Sequence, residues 1–149
     1  MKKAGFLFLA VALVAAGIWG WRSTGGGASP AQQVERIALG RTLYADNCAS
    51  CRGVDLEGQP DWKSPGSNGR LPAPPHDETG HTWHHSDRQL FSIVRDGLAA
   101  IAPGYETDMP IYGGVLSDAQ ILVILDYIKS TWPERERQYQ QARSAADPL

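Results

Sequence analysis

The sequence predicts an all-α domain in which three main helices are joined by long loops. Three observations lead there. The same helix-start device occurs three times, because Ser29 with Gln32, Ser86 with Gln89 and Ser117 with Gln120 each set a capping hydroxyl three residues before an amide that can bond back to the backbone. Apolar residues after each start recur at helical spacing, and no sheet is evident. A long connection, Val54 to His85, is broken by Pro60, Pro65, Pro72, Pro74 and Pro75. A chain of 149 residues, 42% apolar and 20% charged, can bury one core and carry one membrane or signal segment besides.

That extra segment is expected at residues 1–22. Lys2 and Lys3 precede 18 uncharged, mostly apolar residues from Ala4 to Trp21. As a helix they would span about 27 Å, close to the roughly 30 Å hydrocarbon core. Trp19 and Trp21 suit the membrane interface, and no Ala-x-Ala pattern marks a cleavage point, which favours an uncleaved anchor over a cleaved signal. The lysines stay inside and the domain is exported, to the periplasmic face of a bacterial inner membrane or, if the segment is cleaved, to the periplasm. Residues 23–30 read as a Gly-rich linker, 31–133 as the domain and 134–149 as a polar tail.

Helix one starts at Pro30, where a missing N–H does no harm, and runs through Val34, Ile37, Leu39, Leu43 and Tyr44. Gly40 within it is expected to mark a close helix crossing. Gly40, Tyr44 and Cys48 follow at intervals of four and share one face. Helix two, about Asp87 to Asp96, places Leu90, Ile93 and Val94 together and stops at Gly97. Helix three, about Asp118 to Thr131, has Ile121, Leu122, Ile124, Leu125 and Ile128 at core spacing before Pro133. Beyond it, Glu134 to Leu149 has too few apolar residues for a core and is expected to be a solvated extension.

The only cysteines stand in Cys48-Ala49-Ser50-Cys51. Such a pair can form half a zinc site, a redox-active disulfide or, when His follows directly, a covalent haem attachment. Arg52 follows instead, and a guanidinium stays protonated with no lone pair for iron. Export exposes both thiols to an oxidising compartment. A long loop around three short helices points to a large apolar prosthetic group filling a thin core.

Charge narrows the partners. Lys2, Lys3 and Arg22 are three of the 14 basic residues, leaving 11 against 16 acidic ones, a net charge near −5 for the exported part. No nucleic-acid partner is expected.

Over roughly Ala31 to Trp132 the chain resembles the class I cytochrome c family. The resemblance rests on Gly40 and Tyr44 ahead of Cys48-Ala49-Ser50-Cys51, then Gly53 and Leu56-Glu57-Gly58, a Pro-rich loop, Met109-Pro110, and a last helix with Asp126-Tyr127-Ile128-Lys129-Ser130. It implies the cytochrome c fold, with loops wrapping a haem pocket and the first and last helices crossing, Gly40 against an aromatic such as Tyr127. It also implies haem c on Cys48 and Cys51 and Met109 as distal iron ligand. Single-electron exchange with redox protein partners follows, an electron carrier rather than an enzyme.

Arg52 departs from the family, which has its proximal His there, so proximal ligation is impaired or altered. Replacement ligands could come from His76, His81, His84 and His85, which fall within ten residues. Tyr44, Trp62 and Trp83 are expected to line the pocket. The alternative is a haem-free or copper- or zinc-binding module on the same scaffold, using the His76–His85 cluster. A dithiol oxidoreductase fits less well, because its motif would open a helix after a strand.

Overall fold

The computed structural model describes residues 28–149. The expected anchor at residues 1–22 and most of the linker lie outside them. No helix among the described residues is long and apolar enough to cross a membrane.

Helix α1 spans Pro30–Asn47. Ser29 and Gln32 exchange the expected bonds, Gln32 N–H to Ser29 Oγ at 3.3 Å and Ser29 N–H to Gln32 Oε1 at 2.8 Å. Only Gly40 and Tyr44 of this helix are buried. Val34 and Leu39, among the apolar residues along it, are 69% and 52% exposed. Contact is concentrated in one stripe instead of spread over the apolar positions.

A short helix α2, Ala49–Arg52, continues the chain through the cysteines. After the long connection and a 3-10 turn at Thr82–His84 comes α3, Asp87–Asp96, with the Ser86–Gln89 capping box formed in both directions. Gly97 ends it at φ 89°. A second 3-10 turn, Leu98–Ala100, leads into the loop before α4, Asp118–Thr131, which the Ser117–Gln120 box starts. All three capping boxes and the three expected helices are therefore present. No strand occurs among the described residues, which hold one isolated bridge between Gly113 and Leu116.

Helix α4 is the centre of the core. Its Ile121, Ile124, Leu125 and Ile128 pack with Tyr44, Leu56, Leu90, Leu116 and Trp132. The α1–α4 crossing is a backbone contact, since a Cβ at Gly40 would lie 2.3 Å from the Val123 carbonyl oxygen and 2.7 Å from Tyr127 Cβ. Tyr127 is thus the aromatic at the crossing, and its ring lies 5.5 Å from that of Tyr44. An Arg36–Asp126 ion pair closes its edge.

The polar tail is not a solvated extension. Residues Glu134–Ala146 form helix α5, with Glu136 and Gln140 among the most buried polar groups. Polar contacts seat it: Gln140 Nε2 reaches Asp87 Oδ1 at 2.9 Å and the His85 carbonyl at 3.3 Å, and the Asp87 N–H donates to Ser144 Oγ at 2.9 Å. Asp147 accepts from Ser86 Oγ at 2.6 Å and pairs with Arg88. Apolar periodicity cannot detect a helix anchored through amide, hydroxyl and carboxylate groups.

Candidate functional site

The cysteine motif sits where α1 passes into α2. The Cys48 N–H closes the last turn of α1 on the Tyr44 carbonyl at 2.8 Å, and the Arg52 N–H bonds the Cys48 carbonyl at 2.9 Å. One turn of helix therefore separates Cys48 from Arg52. Both cysteines are free thiols, Cys48 partly buried and Cys51 exposed. Two tyrosines brace this corner, Tyr44 Oη donating to the Gly53 carbonyl at 2.8 Å and Tyr112 Oη to the Asn47 carbonyl. Burial pushes the Cys48 thiol up to about 11.

Arg52 points across the site. Its Nη1 donates to the Pro74 carbonyl at 2.7 Å and its Nη2 to the Met109 sulfur at 3.7 Å. The acceptor proline is held close. The Gly58 N–H bonds the Arg52 carbonyl at 2.8 Å, the His76 N–H bonds the Leu56 carbonyl at 2.8 Å, and a Cβ at Gly58 would lie 2.5 Å from Pro75 N. None of the ion pairs among the described residues includes Arg52. Burial lowers its pKa from the ordinary arginine value, against the nearby Tyr44, Cys48, Cys51 and Tyr112. A guanidinium still keeps its proton. Pro74 went unnoticed in the sequence as a contact residue, although consecutive prolines leave carbonyls that no helix claims.

Met109 lies on the loop before α4. Its own N–H bonds Thr107 Oγ1 at 3.1 Å, and the adjacent Asp108 pairs with Arg70 and accepts from Asn68 Nδ2 at 3.1 Å. Surface ties therefore hold this loop, whereas Pro74 secures Arg52.

The four histidines do not converge on one point. The partly buried His76 bonds Thr82 Oγ1 through Nδ1 at 2.8 Å, and its carbonyl accepts from Trp132 Nε1 at 2.6 Å. Burial, then Arg52 and His81, drive its pKa well below the usual histidine range. His81 stacks on Trp62 with ring centroids 5.7 Å apart, and His84 stacks on Trp83 at 3.7 Å. His85 lies against Gln89 and, edge-on, His81. No group of three or more His, Cys, Asp or Glu side chains is placed to hold a metal ion among the described residues, so a copper or zinc centre in this cluster has no support.

The aromatics expected along the pocket separate in the same way. Tyr44 is in the core beside the motif. Trp62 stacks on His81 beneath Lys63, apart from the core cluster. Trp83 packs on that cluster and also meets Tyr139 of α5, its ring N–H buried without an acceptor.

The family model for cytochrome c matches residues 37–132. No curated protein and no solved structure matches the chain. Domains of that family bind covalently attached haem c and pass electrons to redox partners. The donor chemistry here fits haem at three places: two thiols within one helical turn, and a thioether facing the side chain that follows the second cysteine. It does not fit at the fourth, because Arg52 offers iron no lone pair. Since the match covers well over half of its length, the chain belongs to the cytochrome c family.

Proposed function

We propose that the chain is an exported c-type cytochrome in which Cys48 and Cys51 hold haem c through thioether bonds and Met109 is the axial ligand on the far side. Haem c, when bound, supplies one-electron redox chemistry. Arg52 gives no bond to iron, so proximal ligation is altered. Residues 1–22 tether the domain to the periplasmic face of a bacterial inner membrane, or release it to the periplasm if they are cleaved, and its partners are redox proteins. The observation that supports this best is the facing of Arg52 and Met109 across 3.7 Å, which sets position 52 and the only internal methionine opposite each other.

The second reading is a haem-free module on the same scaffold, favoured by Arg52, which offers iron no lone pair and joins the Pro74 segment to the Met109 loop. An alkaline pyridine spectrum with an intact mass on the exported protein separates the two. A haemochrome band with a haem-sized mass increment supports the cytochrome; free thiols or a disulfide without a Soret band reject it.

A further inference from the structure

One side chain in the long connection is set up for chemistry of its own. Asn68 precedes Gly69 in the exposed turn 66–69, and before glycine a side-chain amide is least shielded from the next backbone nitrogen. Gly69 has φ 76°, and nothing lies within 4 Å of where a Cβ would stand. The Arg70 N–H donates to Asn68 Oδ1 at 3.0 Å. Because that bond reaches two positions on, it folds the Asn68 amide back over the Gly69 peptide. It also places a donor on the oxygen that gains charge when the amide carbon is attacked. One bond opposes the reaction, since the Gly69 N–H donates to the Gly66 carbonyl at 2.9 Å. That bond belongs to a surface turn of four exposed residues, so it opens by local fluctuation and not by unfolding of the core.

The place of Asn68 gives such a reaction a consequence. Its Nδ2 donates to Asp108 Oδ2 at 3.1 Å, and Asp108 adjoins Met109. Arg70 pairs with the same Asp108 and with Glu106 at 3.6 Å. One cation therefore already serves two carboxylates. A third acid, at position 68, would replace a hydrogen bond to Asp108 by a like-charge contact.

We propose that Asn68 is a site of spontaneous deamidation, and that its conversion to aspartate or isoaspartate frees the Met109 loop from the 66–70 turn. The Gly69 nitrogen bonds to Asn68 Cγ, the Cγ–Nδ2 bond breaks, and the proton of the Gly69 nitrogen leaves with the amide nitrogen as ammonia. Water then opens the cyclic imide at either of its carbonyls and leaves a carboxylate. Water is the only other reactant, so the inference stands whether or not haem is attached.

The experiment holds the full-length protein in mildly alkaline buffer made with heavy-oxygen water, then digests it with trypsin in ordinary water. The peptide Ser64–Arg70, cut after Lys63 and Arg70, contains a single asparagine. It should gain heavy oxygen at residue 68, with the mass increment of an amide-to-acid change. No gain in the folded protein, under conditions where the urea-unfolded chain gains it, overturns the site. Amide hydrogen exchange then compares Asn68→Asp with Asn68→Ala, which removes the donor without adding charge. The Tyr105 and Met109 amides, each hydrogen-bonded within the loop, are the ones to follow. In Asn68→Asp they should exchange about two- to fivefold faster than in Asn68→Ala, the factor for one exposed charge contact. Equal exchange in the two variants overturns the release of the loop.

Discussion

The Arg52 guanidinium and the Met109 sulfur meet at 3.7 Å, though 57 positions separate them in the chain. The two sides are held differently, because the ties of the Met109 loop to Arg70 and Asn68 lie at the surface, whereas Arg52 is bound to a Pro74 carbonyl packed against Gly58.

This asymmetry makes Arg52→His the most informative substitution at the site. Its imidazole would have the Pro74 carbonyl within reach as the second partner that orients a ligating histidine. The ferric variant is expected to show a low-spin spectrum that Met109→Ala abolishes, while the wild type lacks it. Identical low-spin spectra in wild type and variant would refute the claim that Arg52 alters ligation.

Gly40→Ala should reverse the usual sign of a helix substitution. In an exposed helix interior the change would stabilise by about 1 kcal/mol. Here the added Cβ would lie 2.3 Å from the Val123 carbonyl oxygen, a backbone atom that cannot rotate away. The expected net effect is a loss of about 1–3 kcal/mol, the range for overpacked cores. Urea unfolding monitored by tryptophan fluorescence measures it, and an unchanged or higher midpoint would show that α1 and α4 do not cross there.

How much of this was legible in the sequence depends on which interaction holds each part. The helices α1, α3 and α4 were readable because capping boxes and apolar spacing are local signals, and Gly40 was readable because a helix interior disfavours glycine. Spacing gives a helical face but not which face meets a partner, and Val34 and Leu39 turn out exposed. Helix α5 escaped notice because Gln140, Ser144 and Asp147 seat it through hydrogen bonds and an ion pair. The cysteines and Met109 stood out as chemical groups. The Arg52–Pro74 bond did not, because a backbone carbonyl has no letter of its own.

Helix α5 gives a test of polar docking. Gln140 is 2% exposed, and replacing it by Ala strips partners from Asp87 and Ser144. Gln140→Ala should therefore cost about 1–3 kcal/mol, the penalty for buried polar groups left unpaired. The neighbouring exposed Gln141→Ala should stay within about 0.5 kcal/mol. Equal, negligible losses for the two variants in chemical denaturation would mean that the tail is solvated after all.

His76 predicts acid sensitivity. Its ring is held neutral, chiefly by burial and then by the Arg52 and His81 charges, so its folded pKa lies well below the ordinary histidine value. An unfolded chain protonates the same ring near pH 6.5. Below that point the unfolded state binds more protons than the folded one, so stability is fully present above about pH 6.5 and declines as the pH falls toward the folded value. The slope attributable to this ring is at most about 1.4 kcal/mol per pH unit. His81 and His85 are lowered in the same direction, again first by burial, and steepen the decline. Urea midpoints measured between pH 7 and about pH 5, above the range where most carboxylates titrate, isolate the histidines. His76→Gln should flatten the profile by the share of this one ring; a variant that keeps the wild-type slope would place the acid sensitivity elsewhere.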